Sequence, residues 1–152
     1  MNVSAALAPA VLSIHAAPPE ARSASTWLGV EANARGVPEE HVRRLDHCLD
    51  EALANVFAHG GAAGRALPVT VKLDVRLGPD SGVAAVTISD SGMAFDPLPA
   101  LSTPKSGPES LTEAVPGGLG LMMIRSYSDN IEYRYSDGRN HLTFSVRWSV
   151  PA

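Results

Sequence analysis

Val42, Leu45, Leu49, Ala52, Leu53 and Val56 recur at steps of three and four residues, which puts them on one side of a helix. Pro38 stands at a helix-start position, and Glu39 and Glu40 follow near the positive end of the dipole. His59 and Gly60 supply a polar end and a terminating glycine, so the pattern predicts a helix over 38–59. An earlier helix is expected from Glu20 to Arg35. There Ala21, Ala24, Leu28 and Ala32 keep helical spacing, and Gly36 sits where a stop belongs. Elsewhere the period is two. Leu12, Ile14 and Ala16 alternate with Val11, Ser13 and His15 as a short strand that ends at Pro18 and Pro19. Val69, Val71, Leu73, Val75 and Leu77 alternate with polar neighbours. After the turn Gly78-Pro79-Asp80-Ser81-Gly82, Val83 to Ser89 completes a hairpin. A second hairpin joins 130–135 to 141–148 around Ser136-Asp137-Gly138-Arg139, because Asp-Gly tolerates the positive φ angles of a tight turn. Gly117 to Tyr127 reads as a helix started by glycine, carrying Leu121, Met122 and Ile124. Before it, 97–116 is rich in Pro, Ser, Gly and Thr with little periodicity. A loop of about 20 residues is uncommon in a compact domain and is often functional, as in a lid.

The predicted order, β-α-α-β-β-lid-α-β-β, implies an α+β sandwich with a mainly antiparallel sheet and helices on one face. A chain of 152 residues suits one domain, expected over 11–150 behind a flexible tail at 1–10. Hydrophobic residues at 45% and charged residues at 18% exclude wholesale disorder. The net charge of −4 argues against a nucleic-acid or anionic-membrane surface. With Cys48 the one cysteine, an internal disulfide and a cysteine-based zinc site are both excluded. No apolar run reaches the ~18 residues of a membrane span. The first twenty residues are apolar, but no Lys or Arg precedes Arg22, so a first strand is favoured over a signal peptide. A cytoplasmic location is expected.

Three local patterns could carry chemistry. Glu51, Asn55 and His59 are spaced i, i+4, i+8, so they rise along one side of the 38–59 helix, beside its apolar stripe. A carboxylate and a carboxamide there could act as a proton acceptor and a hard-metal ligand, or simply flank the helix. Ile88-Ser89-Asp90-Ser91-Gly92-Met93-Ala94-Phe95-Asp96-Pro97 follows a strand directly. An Asp before a Gly can hold a ligand where backbone comes close, or can make an ordinary turn. Gly117-Gly118-Leu119-Gly120-Leu121 precedes a helix, where backbone N–H groups could meet phosphate or the glycines could hinge a lid. It is neither a Walker A loop nor a dinucleotide-binding GxGxxG. His41, His47, Cys48 and Asp50 crowd one helix without metal-ligand spacing and read as a solvated face.

Taken in order and at these intervals, the three patterns resemble the GHKL ATPase superfamily and, within it, the stand-alone anti-sigma-factor serine kinases. EALANVFAHG resembles that family's N box, ISDSGMAFDP its first glycine box and GGLGLMMIRSYSDNIEY its second. The resemblance implies the GHKL (Bergerat) sandwich, with a mainly antiparallel mixed sheet and an ATP lid over about 97–117. It implies ATP and Mg²⁺ as ligands. Asp90 would accept the adenine amino group, and Gly92, Ala94 and Phe95 would line the base. Asn55 would coordinate Mg²⁺. Gly118, Leu119, Gly120 and Leu121 would cradle phosphates, Lys105 would meet the γ-phosphate, and Glu51 would be the general base. Ala94 stands where the first glycine box often has a second Gly. The implied partners are a sigma factor and a small antagonist protein, with a homodimer as the implied assembly and no direct nucleic-acid or membrane contact. Alternatives are a non-catalytic module that binds ATP and sequesters its partner, or a detached catalytic domain of the histidine-kinase type.

Overall fold

Helix α1 spans Glu20–Ala34 and α2 spans Glu39–His59, and each ends as its sequence dictates. Past α1, Gly36 adopts φ +82°. The Val37 N–H donates to Ala32 O and the Gly36 N–H to Asn33 O, each at 3.1 Å, so two orphan carbonyls are satisfied. Val37 then buries its side chain in the core. Pro38 O accepts from the N–H groups of His41 and Val42 at 2.9 Å, so Pro38 caps α2 and the helix begins one residue later than the pattern predicts.

The strands are β1 (Ala5–Ala6), β2 (Ala10–Ile14), β3 (Val69–Leu77), β4 (Ser81–Asp90), β5 (Asn130–Ser136) and β6 (Arg139–Ser149). The computed structural model describes residues 5–6, 8–59, 68–94, 96–97 and 124–149. The sheet order is β1-β3-β4-β6-β5, with β2 also paired to β3, and every described pairing is antiparallel. The expected tail at 1–10 is corrected in part. Ala5 and Ala6 pair with Leu77 and Arg76, and Ala10 opens β2. The nine-residue β3 is longer than β2, and its far end offers open ladder groups to the preceding chain. Asp137 and Gly138 take φ +53° and +73°, the two positive values of a two-residue hairpin turn, which sets Ser136 opposite Arg139.

One face of the sheet is covered by helices: α1 lies on β2 and β3, and α2 on β4 and β6. Val69, Val71, Leu73 and Val75 face inward on β3, and Leu28, Leu45, Leu49, Leu53 and Phe144 complete the buried core. Each such side chain contributes about 1.5–3 kcal/mol by leaving water. At one end of this core Gly82 of β4 lies opposite Trp148 of β6. A methyl at Gly82 would overlap the indole, which is itself buried and in ring contact with His41 at 5.5 Å. Gly82→Ala is therefore expected to cost about 1–3 kcal/mol of stability by overpacking. Denaturant unfolding checks this, and an unchanged midpoint would contradict the packing of Trp148.

The contact at Trp148 also fixes the direction of α2. Its first turn meets the last residues of β6, and it runs back toward the start of that strand. From His41 to Asn55 the helix rises about 21 Å. That is the distance β6 covers between Trp148 and Leu142, about 20 Å. The last turns of α2 therefore arrive at the sheet end where β4 finishes and β6 begins.

Candidate functional site

Along β4 the inward positions run Gly82, Ala84, Val86, Ile88 and then Asp90. Along β6 they run Asn140, Leu142, Phe144, Val146 and Trp148. The register pairs Asp90 with Asn140, so two apolar rows end in one polar pair on the helix-covered face. Asp90 is 8% exposed and Asn140 7%. Buried polar groups need partners, and these have them. Asp90 Oδ1 accepts from the Gly92 N–H at 2.9 Å, an Asx turn that closes the strand end, and from Asn140 Nδ2 at 3.1 Å. No hydrogen bond reaches Asp90 Oδ2 among the described residues.

The turn that follows is braced from β6. Asn140 Nδ2 also donates to Gly92 O at 3.3 Å and Met93 O at 2.9 Å, and the Tyr133 hydroxyl donates to Asn140 Oδ1. Arg139 Nη1 donates to Ser91 Oγ at 2.7 Å, while Nη2 donates to Ser89 O at 2.9 Å and Pro68 O at 3.3 Å. These three residues, Tyr133, Arg139 and Asn140, were not singled out as site residues by sequence reasoning. One signal was available for Asn140. It occupies the apolar phase of β6, where an amide is out of place unless a buried polar group waits across the strand.

On α2 the two expected residues part company. Asn55 is 7% exposed, and its Oδ1 is buried without a hydrogen-bond partner. Glu51, one turn earlier, is half-buried and opens instead onto a groove beside the start of α1, bordered by Pro18, Ala21, Ala54 and Phe57. The carboxylate can thus reach solvent while the amide oxygen cannot. Ala94 is exposed. Phe95, Lys105, Gly118, Leu119, Gly120 and Leu121, with the lid from residue 98 onward, lie outside the described residues.

The expected solvated face of α2 holds for His47 and Asp50, which are exposed, and is corrected for Cys48, which is buried, and for His41, which is half-buried. His41, Arg44 and Cys48 repeat at steps of three and four, a second stripe beside the apolar one. Arg44 Nε donates to Tyr127 O at 2.8 Å, Arg44 meets Asp129 at 3.4 Å, and the His47 ring stacks on Tyr127 at 5.0 Å. Cys48 Sγ donates weakly to Ile124 O at 3.7 Å. Burial pushes the Cys48 thiol up to about 12, against a partial pull downward from the Arg44 charge. Thiolate is therefore scarce at neutral pH, and the sulfur acts as packing. Together these contacts fasten the helical turn at 124–127, downstream of the glycine-rich run, to α2.

A sheet covered by helices on one face, with an Asp-Gly turn and an N-box helix meeting at one end, defines a GHKL-type nucleotide-binding sandwich. The chain belongs to the histidine kinase-like ATPase domain family, whose profile matches residues 14–146. It is 38% identical over 101 residues to the serine/threonine-protein kinase BtrW of Bordetella bronchiseptica, covering 66% of this chain and 67% of that one. Its fold is similar to the structure of the RsbU and RsbW domains of Rv1364c from Mycobacterium tuberculosis. The TM-score is 0.66 at 18% identity, over 96% of this chain and 34% of that longer one. It is also similar to the SiaB-SiaC complex from Pseudomonas aeruginosa, with TM-score 0.52 at 13% identity over 91% and 89% of the two chains. The matches bear out the resemblance to the GHKL superfamily, with a serine/threonine-protein kinase among the relatives, and the α+β fold with it. Among the described residues no helix is long and apolar enough to cross a membrane.

Proposed function

We propose that this protein is an ATP-dependent serine/threonine kinase of the partner-switching type, acting in the cytoplasm as a homodimer. It binds Mg-ATP, holds a sigma factor inactive and phosphorylates a small antagonist protein. The observation that carries the reading is the half-used carboxylate of Asp90, with Oδ1 engaged by the scaffold and Oδ2 open beside Gly92. Such an acceptor suits the exocyclic amine of adenine and repels the carbonyl that guanine presents there. The kinship with BtrW supports serine or threonine as the phosphoryl acceptor. SiaB-SiaC supplies an instance of a similar fold bound to a protein partner.

Mg²⁺ fits the donor set. Asn55 Oδ1 is a buried neutral oxygen that nothing else satisfies, and hard divalent cations take carboxamide oxygens. When bound, the ion would offset phosphate charge during transfer. Asn55 would hold it from the covered side of α2. Glu51, open to the groove, would accept the proton of the substrate hydroxyl. Gly118, Leu119, Gly120 and Leu121 would cradle the phosphates, Lys105 would reach the γ-phosphate, and Ala94 and Phe95 would border the base as 97–117 closes. These assignments rest on the family resemblance. Asn55→Ala is expected to leave the nucleotide-free protein nearly as stable as before, because the oxygen removed has no partner to lose. Mg²⁺-dependent enhancement of ATP affinity should fall about tenfold or more. Thermal melts and titration calorimetry with and without Mg²⁺ check both. A large stability loss with metal dependence intact would make Asn55 structural.

The function itself is tested with γ-labelled ATP and Mg²⁺ in a lysate of the native organism. Acid-stable label on a small protein supports the kinase, and acid-labile label supports a histidine-kinase-type domain. No label, with ATP binding intact, supports the sequestering module.

A further inference from the structure

Asn140 Nδ2 faces three acceptors, Asp90 Oδ1, Gly92 O and Met93 O, with only two hydrogens to share among them. A flipped amide would set its oxygen against all three, so its orientation is dictated by its surroundings. Tyr133 holds the amide in that orientation from the other side, its hydroxyl donating to Asn140 Oδ1. Tyr133 anchors the amide oxygen, and the amide nitrogen fills Asp90 Oδ1 and pins the backbone on which Gly92 and Met93 lie. Only Oδ2 is left to accept from a base.

We propose that Asn140, anchored by Tyr133, is a specificity-determining positioning residue that aims Asp90 Oδ2 and so makes the site prefer adenine over guanine nucleotides. The inference rests on the nucleotide-site reading above and adds two residues to it. A carboxylate held in one plane keeps Oδ2, an acceptor only, at one position, where it matches an amine and opposes a carbonyl oxygen. A carboxylate free to turn discriminates less. The physical basis is the general one that a rigid buried polar group rejects a ligand unable to complete its hydrogen bonds.

The test is ATP and GTP affinity by titration calorimetry on the full chain with Mg²⁺, for wild type, Asn140→Ala, Tyr133→Phe and Asp90→Asn. Asn140→Ala should weaken ATP about tenfold and lower the ATP-over-GTP preference by a similar factor, with Tyr133→Phe about threefold in the same direction. A purely structural role would lower both affinities together and leave the preference unmoved, which overturns the proposal. So does a wild-type protein that binds the two nucleotides equally. Tyr133→Phe keeps its half-buried ring, so it decides the matter if Asn140→Ala fails to fold. If Asp90→Asn itself leaves ATP affinity unchanged, the nucleotide-site reading fails. If Asp90→Asn removes binding while both other variants keep the wild-type preference, only the role of Asn140 and Tyr133 fails.

Discussion

Asp90→Asn is expected to weaken ATP binding at least about a hundredfold, which corresponds to roughly 2.8 kcal/mol. The substitution is nearly isosteric, and Oδ1 of the new amide can still accept from the Gly92 N–H and Asn140 Nδ2. The strand-end turn should therefore persist, with a melting temperature close to wild type. What changes is the other position. An amide nitrogen, a donor, replaces Oδ2 and confronts the amino group of adenine, also a donor. The charge-assisted bond is lost, about 1.5–3 kcal/mol, and two unsatisfied donors are left facing each other. Calorimetry at matched Mg²⁺ measures the loss, and circular dichroism verifies the fold. Affinity within about threefold of wild type would remove Asp90 from base recognition.

Glu51→Gln should separate binding from chemistry. Glu51 opens onto the groove and is not among the residues that brace Asp90. ATP affinity should stay within about twofold of wild type. A glutamine cannot take a proton from a serine hydroxyl, and loss of a general base lowers rate by about 10²–10⁴. Transfer of labelled phosphate to the small substrate protein should fall accordingly. Equal rates in mutant and wild type would take Glu51 out of the mechanism. Equal losses of binding and transfer would make it a nucleotide contact.

The α+β order of the described elements was legible because periodicity reports burial directly. The 3.6-residue stripe Val42 to Val56 and the two-residue alternation Val69 to Leu77 name the covered faces before any partner is known. Gly36 and Asp137-Gly138 were equally readable, since their positive φ angles are a local cost that few residues tolerate. Less legible were elements that exist by virtue of a neighbour. Ala5–Ala6 has no pattern of its own and pairs because β3 presents an open edge. The cluster of His41, His47, Cys48 and Asp50 reads as a wet face because its polar side chains hide the contacts that His47 and Cys48, with Arg44 beside them, make with 124–129.

The same division runs through the site. Asp90, Gly92, Glu51 and Asn55 stand out in the linear chain because each lies at a strand end or beside a helix stripe, where an acceptor or a glycine has a local meaning. Their unequal surroundings come from packing. Neighbours one turn apart on α2 differ in that Asn55 is enclosed with an unsatisfied oxygen while Glu51 borders an open groove, a contrast that depends on where α1 lies. The partnership of Asp90 with Asn140 and Tyr133 joins positions some fifty and forty residues apart. It exists because the Asp137-Gly138 turn sets β5 in register with β6, while the separate antiparallel pairing of β6 with β4 brings one inward amide opposite one inward carboxylate. Side-chain chemistry and short-range periodicity are written along the chain, whereas the aim of a carboxylate is set by hydrogen bonds across strands, which form only when the sheet does.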